Sequence, residues 1–225
     1  ITLSKIMFSL RDATLQTPHG SPIIHQADVD FTARALHWVV GQSASGKTSL
    51  LKVLARDLPL HAGSLTIHYD ALGVAIPQSR PDWRRKVGWI SPSFPLIESD
   101  SLLDNICLPL TKGQGVDKLI ARKAAAPLMQ KLHLAPFADN RPAACPDGIC
   151  LLAKVARSLI HDPAVVFCDA VFDYLDGNQQ QNLYHCLESF TQGGLTVFVT
   201  SYAGPPVESD CVHTYLLDKG LCQKI

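Results

Sequence analysis

The sequence predicts an α/β fold with a mainly parallel core sheet and a helical insertion. Three observations predict it. Strand-like runs recur at 35–40, 64–69, 87–90, 164–168, 195–200 and 212–217. Amphipathic helical stretches alternate with them. Between 92 and 145 the alternation stops, and Pro and Gly breaks accompany a separate helical stretch.

Residues 6–17 mix apolar and polar residues in strand fashion and end at a turn signal, Pro18-His19-Gly20. A second strand is expected around 29–31, and the run ALHWVV at 35–40 stops at Gly41. The following helix carries Leu50, Leu51, Leu54 and Leu58 on one face. Beyond the strands at 64–69 and 87–90, a helix over 117–133 is expected to be interrupted at Pro127, with Leu119, Leu128 and Leu132 packing a helical lobe. The α/β pattern then resumes. Helix 148–160 carries Ile149, Leu152, Ala153, Ala156, Leu159 and Ile160 on one side, and helix 177–190 carries Leu183, Cys186, Leu187 and Phe190. After the strands at 195–200 and 212–217 come a turn at Asp218-Lys219-Gly220 and a short tail. One domain over 1–225 is expected, with an α/β core at 1–91 and 146–225 and a helical subdomain at 92–145.

Composition narrows the function. The 20 basic residues match the 20 acidic ones, so neither a nucleic-acid footprint nor a polybasic membrane patch is present in the totals. No apolar run reaches the roughly 18–20 residues of a membrane span, and the N-terminus lacks the pattern of a signal peptide. The seven cysteines, at 107, 145, 150, 168, 186, 211 and 222, form no C-x-x-C pair. That argues against zinc and against a disulfide framework, and for free thiols in the cytosol.

The residues GQSASGKT at 41–48 match G-x-x-x-x-G-K-[ST], with a strand before and a helix after. Backbone N–H groups of such a loop (Gly41, Ser43, Ala44, Ser45, Gly46, Lys47, Thr48, Ser49) converge on phosphate oxygens, and the helix N-terminus adds about half a positive charge. Lys47 would reach the β- and γ-phosphates and Thr48 would ligate Mg²⁺. Asp169 ends the apolar strand VVFCD, and an acid there suits the Mg²⁺ partner of the loop, acting through water. The implied ligand of the loop is a Mg²⁺-bound phosphate chain; ATP as its bearer is what the resemblance carried by two further stretches implies.

RPAACPDGICLLAKVARSLIHDPAVVFCDAVFDYLD (141–176) and RRKVGWISPSFPLIESDSLLDNICLPL (84–110), taken with the loop, resemble the nucleotide-binding domain of ABC transporters over nearly the whole chain. The DNICLPL ending is similar to the branch serving lipoprotein release, cell division and MacB-type efflux. The resemblance implies a P-loop NTPase fold of ABC type, with an N-terminal antiparallel β subdomain. It also implies a peripheral position on the cytoplasmic face of the inner membrane and a transmembrane permease-type partner. A second ABC nucleotide-binding domain would complete the assembly, as a homo- or heterodimer with ATP shared between one domain's phosphate loop and the other's signature.

The resemblance also marks departures. Ala44 replaces a usual glycine, Ala170 stands where the family has its catalytic glutamate, and Ser201 stands at the switch histidine. Pro92 falls at the Q-loop glutamine, and TLQT at 14–17 offers no adenine-stacking aromatic. The D-loop aspartate is kept as Asp176. The signature reads Cys145-Pro146-Asp147-Gly148-Ile149: the serine donor is lost, Pro146 has no N–H, and Asp147 puts a negative charge where a triphosphate is expected. Asp147 is also placed to cap helix 148–160. Asp173 would need an unusual turn to reach the γ-phosphate, and His161, His185 and His213 do not stand at the right strand end. The expected function is a degenerate ATP-binding subunit with no catalytic residue at the family positions and little or no hydrolysis. The alternatives are an active ATPase using a substitute base or a partner's residues, a different phosphate-loop enzyme such as a kinase, or a chain that binds no nucleotide.

Overall fold

The computed structural model describes residues 5–17, 19–73, 75, 79–207, 209 and 211–225. In chain order the elements are β1 (Ile6–Gln16), β2 (Pro22–Thr32), β3 (Leu36–Val40), α1 (Lys47–Leu54), β4 (Ala62–Ile67), α2 (Arg80–Arg84), β5 (Val87–Ile90), α3 (Leu102–Thr111) and α4 (Lys118–Lys131). They continue as α5 (Asp147–Leu159), β6 (Val165–Asp169), α6 (Gly177–Gln192), β7 (Thr196–Ser201), β8 (Val212–Asp218) and β9 (Leu221–Lys224).

Two sheets form. The antiparallel sheet has the order β2-β1-β4, and the six-stranded sheet the order β5-β6-β7-β3-β8-β9. In the second, β5, β6, β7, β3 and β8 run parallel, and β9 returns antiparallel to β8. Strands β6 and β7 are buried along their whole length, which is why they read as continuous apolar runs rather than alternating ones. One core joins the antiparallel sheet and α1 to Val39, Phe167 and Phe198 of the main sheet; another joins α3 to α6 with Trp38, Val166 and Val199 from that sheet. The parallel sheet is thus covered on both faces, as its register requires.

Several local expectations are corrected. The second strand runs from Pro22, well before 29–31, because it pairs with β1 as far as Gln16. In the turn between them, Pro18 lies outside the described residues, and Gly20 N donates to Thr17 O at 2.9 Å. Helix α1 stops at Leu54, with Arg56 at φ 61, so Leu58 lies beyond it although it still packs on the core. Helix α4 runs through Pro127 without interruption, and Leu119, expected to pack the lobe, is 63% exposed in its first turn. Helix α3 is an element the pattern did not bring out, because Pro109 lies inside it; Ser101 caps it, accepting from Asp104 N at 3.1 Å. The tail after Asp218 is strand β9. Helix α5 packs most on α3 and less on β5 and α4.

Candidate functional site

The phosphate-loop sequence forms a tight strand-to-helix turn from β3 into α1. Gly46 caps α1 at φ 99, and a Cβ there would come within 2.5 Å of Ile23 Cγ2. A Cβ on Gly41 would meet Leu217 O and Ser45 Oγ, each at 2.5 Å. Close approach therefore requires glycine at both positions, and at Gly46 the left-handed backbone requires it as well. Ala44 also lies in the left-handed region, at φ 60, which explains the glycine usual there.

Lys47 is only 9% exposed and folds back on the loop, donating to Gly41 O at 2.6 Å and Gln42 O at 2.9 Å. The Tyr202 ring lies 4.8 Å from its Nζ. Burial, the largest cause, pushes the Lys47 amine below its ordinary value, and the charges of Asp173 and then Asp169 oppose that shift. Thr48 Oγ1 donates to Asp169 Oδ1 at 2.8 Å and to Oδ2 at 3.0 Å. The buried Ser45 Oγ has no hydrogen-bond partner within the protein. A desolvated ammonium, an orphaned hydroxyl and a hydroxyl–carboxylate pair at the mouth of a helix fit a metal-bound phosphate chain, whose oxygens would satisfy them. Asp169 lines a cavity of about 420 Å³ together with Thr48, Lys52, Trp89, Ser93 and Phe94.

Asp169 is brought to Thr48 by sheet register: it pairs with Thr200 across β6 and β7. Thr200 Oγ1 donates to Asp169 Oδ1 at 2.9 Å and accepts from Ala170 N at 3.0 Å. Residue 170 is a methyl with φ 55, so the chain leaves the sheet by a left-handed turn. It then forms a 3₁₀ turn at Phe172–Tyr174. Within that turn Asp173 lies beside the end of β7. Its Oδ1 accepts from Ser201 Oγ at 2.6 Å and from Tyr202 N at 3.2 Å. Thr200, Tyr202 and the reach of Asp173 were not evident from the sequence. The one available signal was Thr200, a polar residue inside a buried strand.

Cys145 and Asp147, of the stretch expected to be the signature, line a different cavity from the one lined by Thr48 and Asp169. Pro146, not Asp147, is the N-cap residue of α5; Asp147 is the exposed first helical residue and makes no capping hydrogen bond. Proline's fixed φ, −57 here, starts the helix one residue earlier than a capping aspartate would. The carboxylate still stands in the first turn, where it opposes a second anion. Asp176 is spent on capping α6, accepting from Gln179 N at 2.8 Å in a capping box. Lys154 and Arg157 of α5 donate to Pro92 O at 2.7 Å and Pro95 O at 3.0 Å, tying the segment after β5 to α5. No group of three or more metal-ligating side chains occurs among the described residues.

The fold and the site define a phosphate-loop α/β domain with the parts of a nucleotide-binding cassette. The family model described as "ABC transporter" matches residues 24–172, and the chain belongs to that family. It is 25% identical over 194 residues to the methionine import ATP-binding protein MetN 1 of Acinetobacter baylyi, covering 86% of this chain and 54% of that protein. It is 24% identical over 217 residues to MetN 2 of Burkholderia mallei, covering 96% and 54%. The chain therefore spans about half the length of these relatives. Among solved structures, the ATP-binding cassette MJ0796, in a dimeric post-hydrolysis state bound to ADP and Pi, superposes with a TM-score of 0.82 at 20% identity, over 97% of this chain and 98% of that one. CbiO1 of Clostridium perfringens, part of the transporter complex cbiONQ, gives 0.82 at 14% identity, over 97% and 87%. These structures share its fold.

Proposed function

We propose that the chain is a degenerate ABC ATP-binding subunit that binds Mg-ATP with little or no hydrolysis. It would act as a structural or regulatory element of a membrane transport or envelope complex. One observation carries the reading. Thr48 Oγ1 is hydrogen-bonded to Asp169 and Lys47 lies folded on the loop against Gly41 O and Gln42 O, while the next position after Asp169, Ala170, presents a methyl that can neither accept a proton nor orient a water. The Lys47 amine and the loop N–H groups would hold the phosphates, and Thr48 with Asp169 would hold Mg²⁺, which supplies charge neutralisation when bound. Ser201, at the switch position, spends its only proton on Asp173. Pro146 and Asp147 would weaken a site shared with a partner's phosphate loop.

Family membership supports a permease-type membrane partner and a second nucleotide-binding domain. It equally supports a peripheral position on the cytoplasmic face of the inner membrane. No described helix is long and apolar enough to cross a membrane.

The test is calorimetric titration with Mg-ATP alongside phosphate release, alone and with the partner. The expected result is Mg²⁺-dependent binding lost in Lys47→Ala, with turnover at background. Phosphate release at an ordinary transporter's rate, abolished by Lys47→Ala, would overturn the reading. A second reading, an active ATPase with a substitute base, is favoured by the contact of Asp173 with Ser201. It requires turnover that Asp173→Ala removes.

A further inference from the structure

Two of the seven cysteines meet at the start of α5. Pro146 is the N-cap, so Cys145 is the residue before the cap and Cys150 the fourth residue of the helix. Side chains at those two positions commonly pack on each other and fix the angle at which the chain enters a helix. Here both are thiols. Both are half-buried, both pack on the same core, and both line one cavity of about 540 Å³ with Glu98, Asp147 and Lys154. Cys150 Sγ lies 4.0 Å from Cys145 O and 3.4 Å from Pro142 O.

The surroundings favour pair chemistry. Among the described residues no group of three or more metal-ligating side chains occurs, so the two thiols lack the further ligands a metal would need. A thiol is a weak hydrogen-bond donor, so the carbonyl contacts of Cys150 are given up at little cost. Only four residues separate the two cysteines, which keeps each at high effective concentration for the other. Burial first, then the neighbouring Cys145 thiol and Asp147, push the Cys150 thiol above its ordinary value. Cys150 is therefore assigned the second of the two steps, in which proximity compensates for a scarce thiolate.

We propose that Cys145 and Cys150 form a reversible dithiol–disulfide pair at the start of α5, oxidised by a low-molecular-weight disulfide such as oxidised glutathione. The Cys145 thiolate attacks one sulfur of the oxidant, forms a mixed disulfide and expels one glutathione thiolate. The Cys150 thiolate then attacks the Cys145 sulfur, closes the internal S–S bond and expels the second. Two protein thiols are oxidised, one glutathione disulfide is reduced to two thiols, and the two cysteine protons pass to the departing thiolates. The closed bond ties the chain leaving the 3₁₀ turn at Pro142–Ala144 to the first turn of α5.

The test incubates the purified chain with oxidised glutathione, alkylates the remaining thiols and maps the tryptic peptide 132–154, which holds both residues. The expected peptide carries no alkyl group and is lighter by two hydrogens, and dithiothreitol restores both thiols. Cys211, which is exposed, should instead carry a glutathione adduct. In Cys150→Ser the adduct on Cys145 should persist, at about tenfold or more above its level in the wild type, because no second thiol expels it. Full alkylation of both cysteines after treatment, or a Cys145 adduct that persists in the wild type as it does in Cys150→Ser, would overturn the pairing. The wild-type map is decisive even should the variant fail to fold.

Discussion

Thr200 offers the most direct test of how the carboxylate of the site is held. Its side chain is fully buried on β7, donates to Asp169 Oδ1 at 2.9 Å and accepts from Ala170 N at 3.0 Å. Thr200→Val keeps the shape and removes the hydroxyl. A hydrogen bond to a charged group contributes about 1.5–3 kcal/mol. Neither partner is left bare: Asp169 Oδ1 keeps Thr48 Oγ1 at 2.8 Å, and Ala170 N keeps Thr200 O at 3.2 Å. The loss should therefore fall at the low end, about 1.5–2 kcal/mol, which for a chain of this size lowers Tm by roughly 3–8 °C. Urea unfolding without nucleotide reads the stability, and an unchanged m-value shows that both states keep their extent. Titration with Mg-nucleotide then reads the function: the valine variant loses Mg²⁺-dependent affinity, whereas Thr200→Ser keeps it despite a stability cost of about 1 kcal/mol for its lost methyl. A double-mutant cycle with Asp169→Asn should show a coupling of about 1 kcal/mol or more. The reasoning fails if Thr200→Val matches the wild type within about 0.5 kcal/mol and binds Mg-nucleotide normally.

Two further outcomes follow from the same geometry. Ala44→Gly relieves a left-handed alanine, at φ 60, by about 1–2 kcal/mol, and loses about 0.4–1 kcal/mol to a more flexible unfolded chain. A net gain of roughly 0–1.6 kcal/mol should appear as an equal or higher urea midpoint, and a lower midpoint would contradict the assigned backbone. His37 is fully buried, stacked on Phe198 with ring centroids 4.6 Å apart. Burial first, then the charges of His213 and Lys224, push it down to about 3 against the opposing hydrogen bond to Thr32 O. Because the unfolded chain takes up this proton near pH 6.5 and the folded one only near 3, stability falls as pH drops through that window. Equilibrium unfolding across pH 3–7 should show a loss of several kcal/mol that His37→Gln lacks; identical pH slopes would place the titration elsewhere.

The sequence by itself determined the phosphate loop, the strand carrying Asp169 and the alternation of the parallel core. These rest on neighbours in the chain: convergent N–H groups need consecutive residues, and a strand buried on both faces announces itself as an apolar run. Other features lay in balances that a local pattern does not display. Helix α3 was hidden by Pro109, Leu119 faces solvent although its periodicity pointed inward, and Pro146 rather than Asp147 begins α5.

Tertiary structure alone decided the surroundings of the site. Asp169 meets Thr200 only because β6 and β7 lie parallel in that register. Asp173 meets Ser201 only because the chain leaves β6 at φ 55 and turns at once. Tyr202 meets Lys47 only because β7 and β3 are neighbours. Contacts between residues far apart in the chain are chosen by the packing of the whole sheet, so no local reading of either segment specifies them.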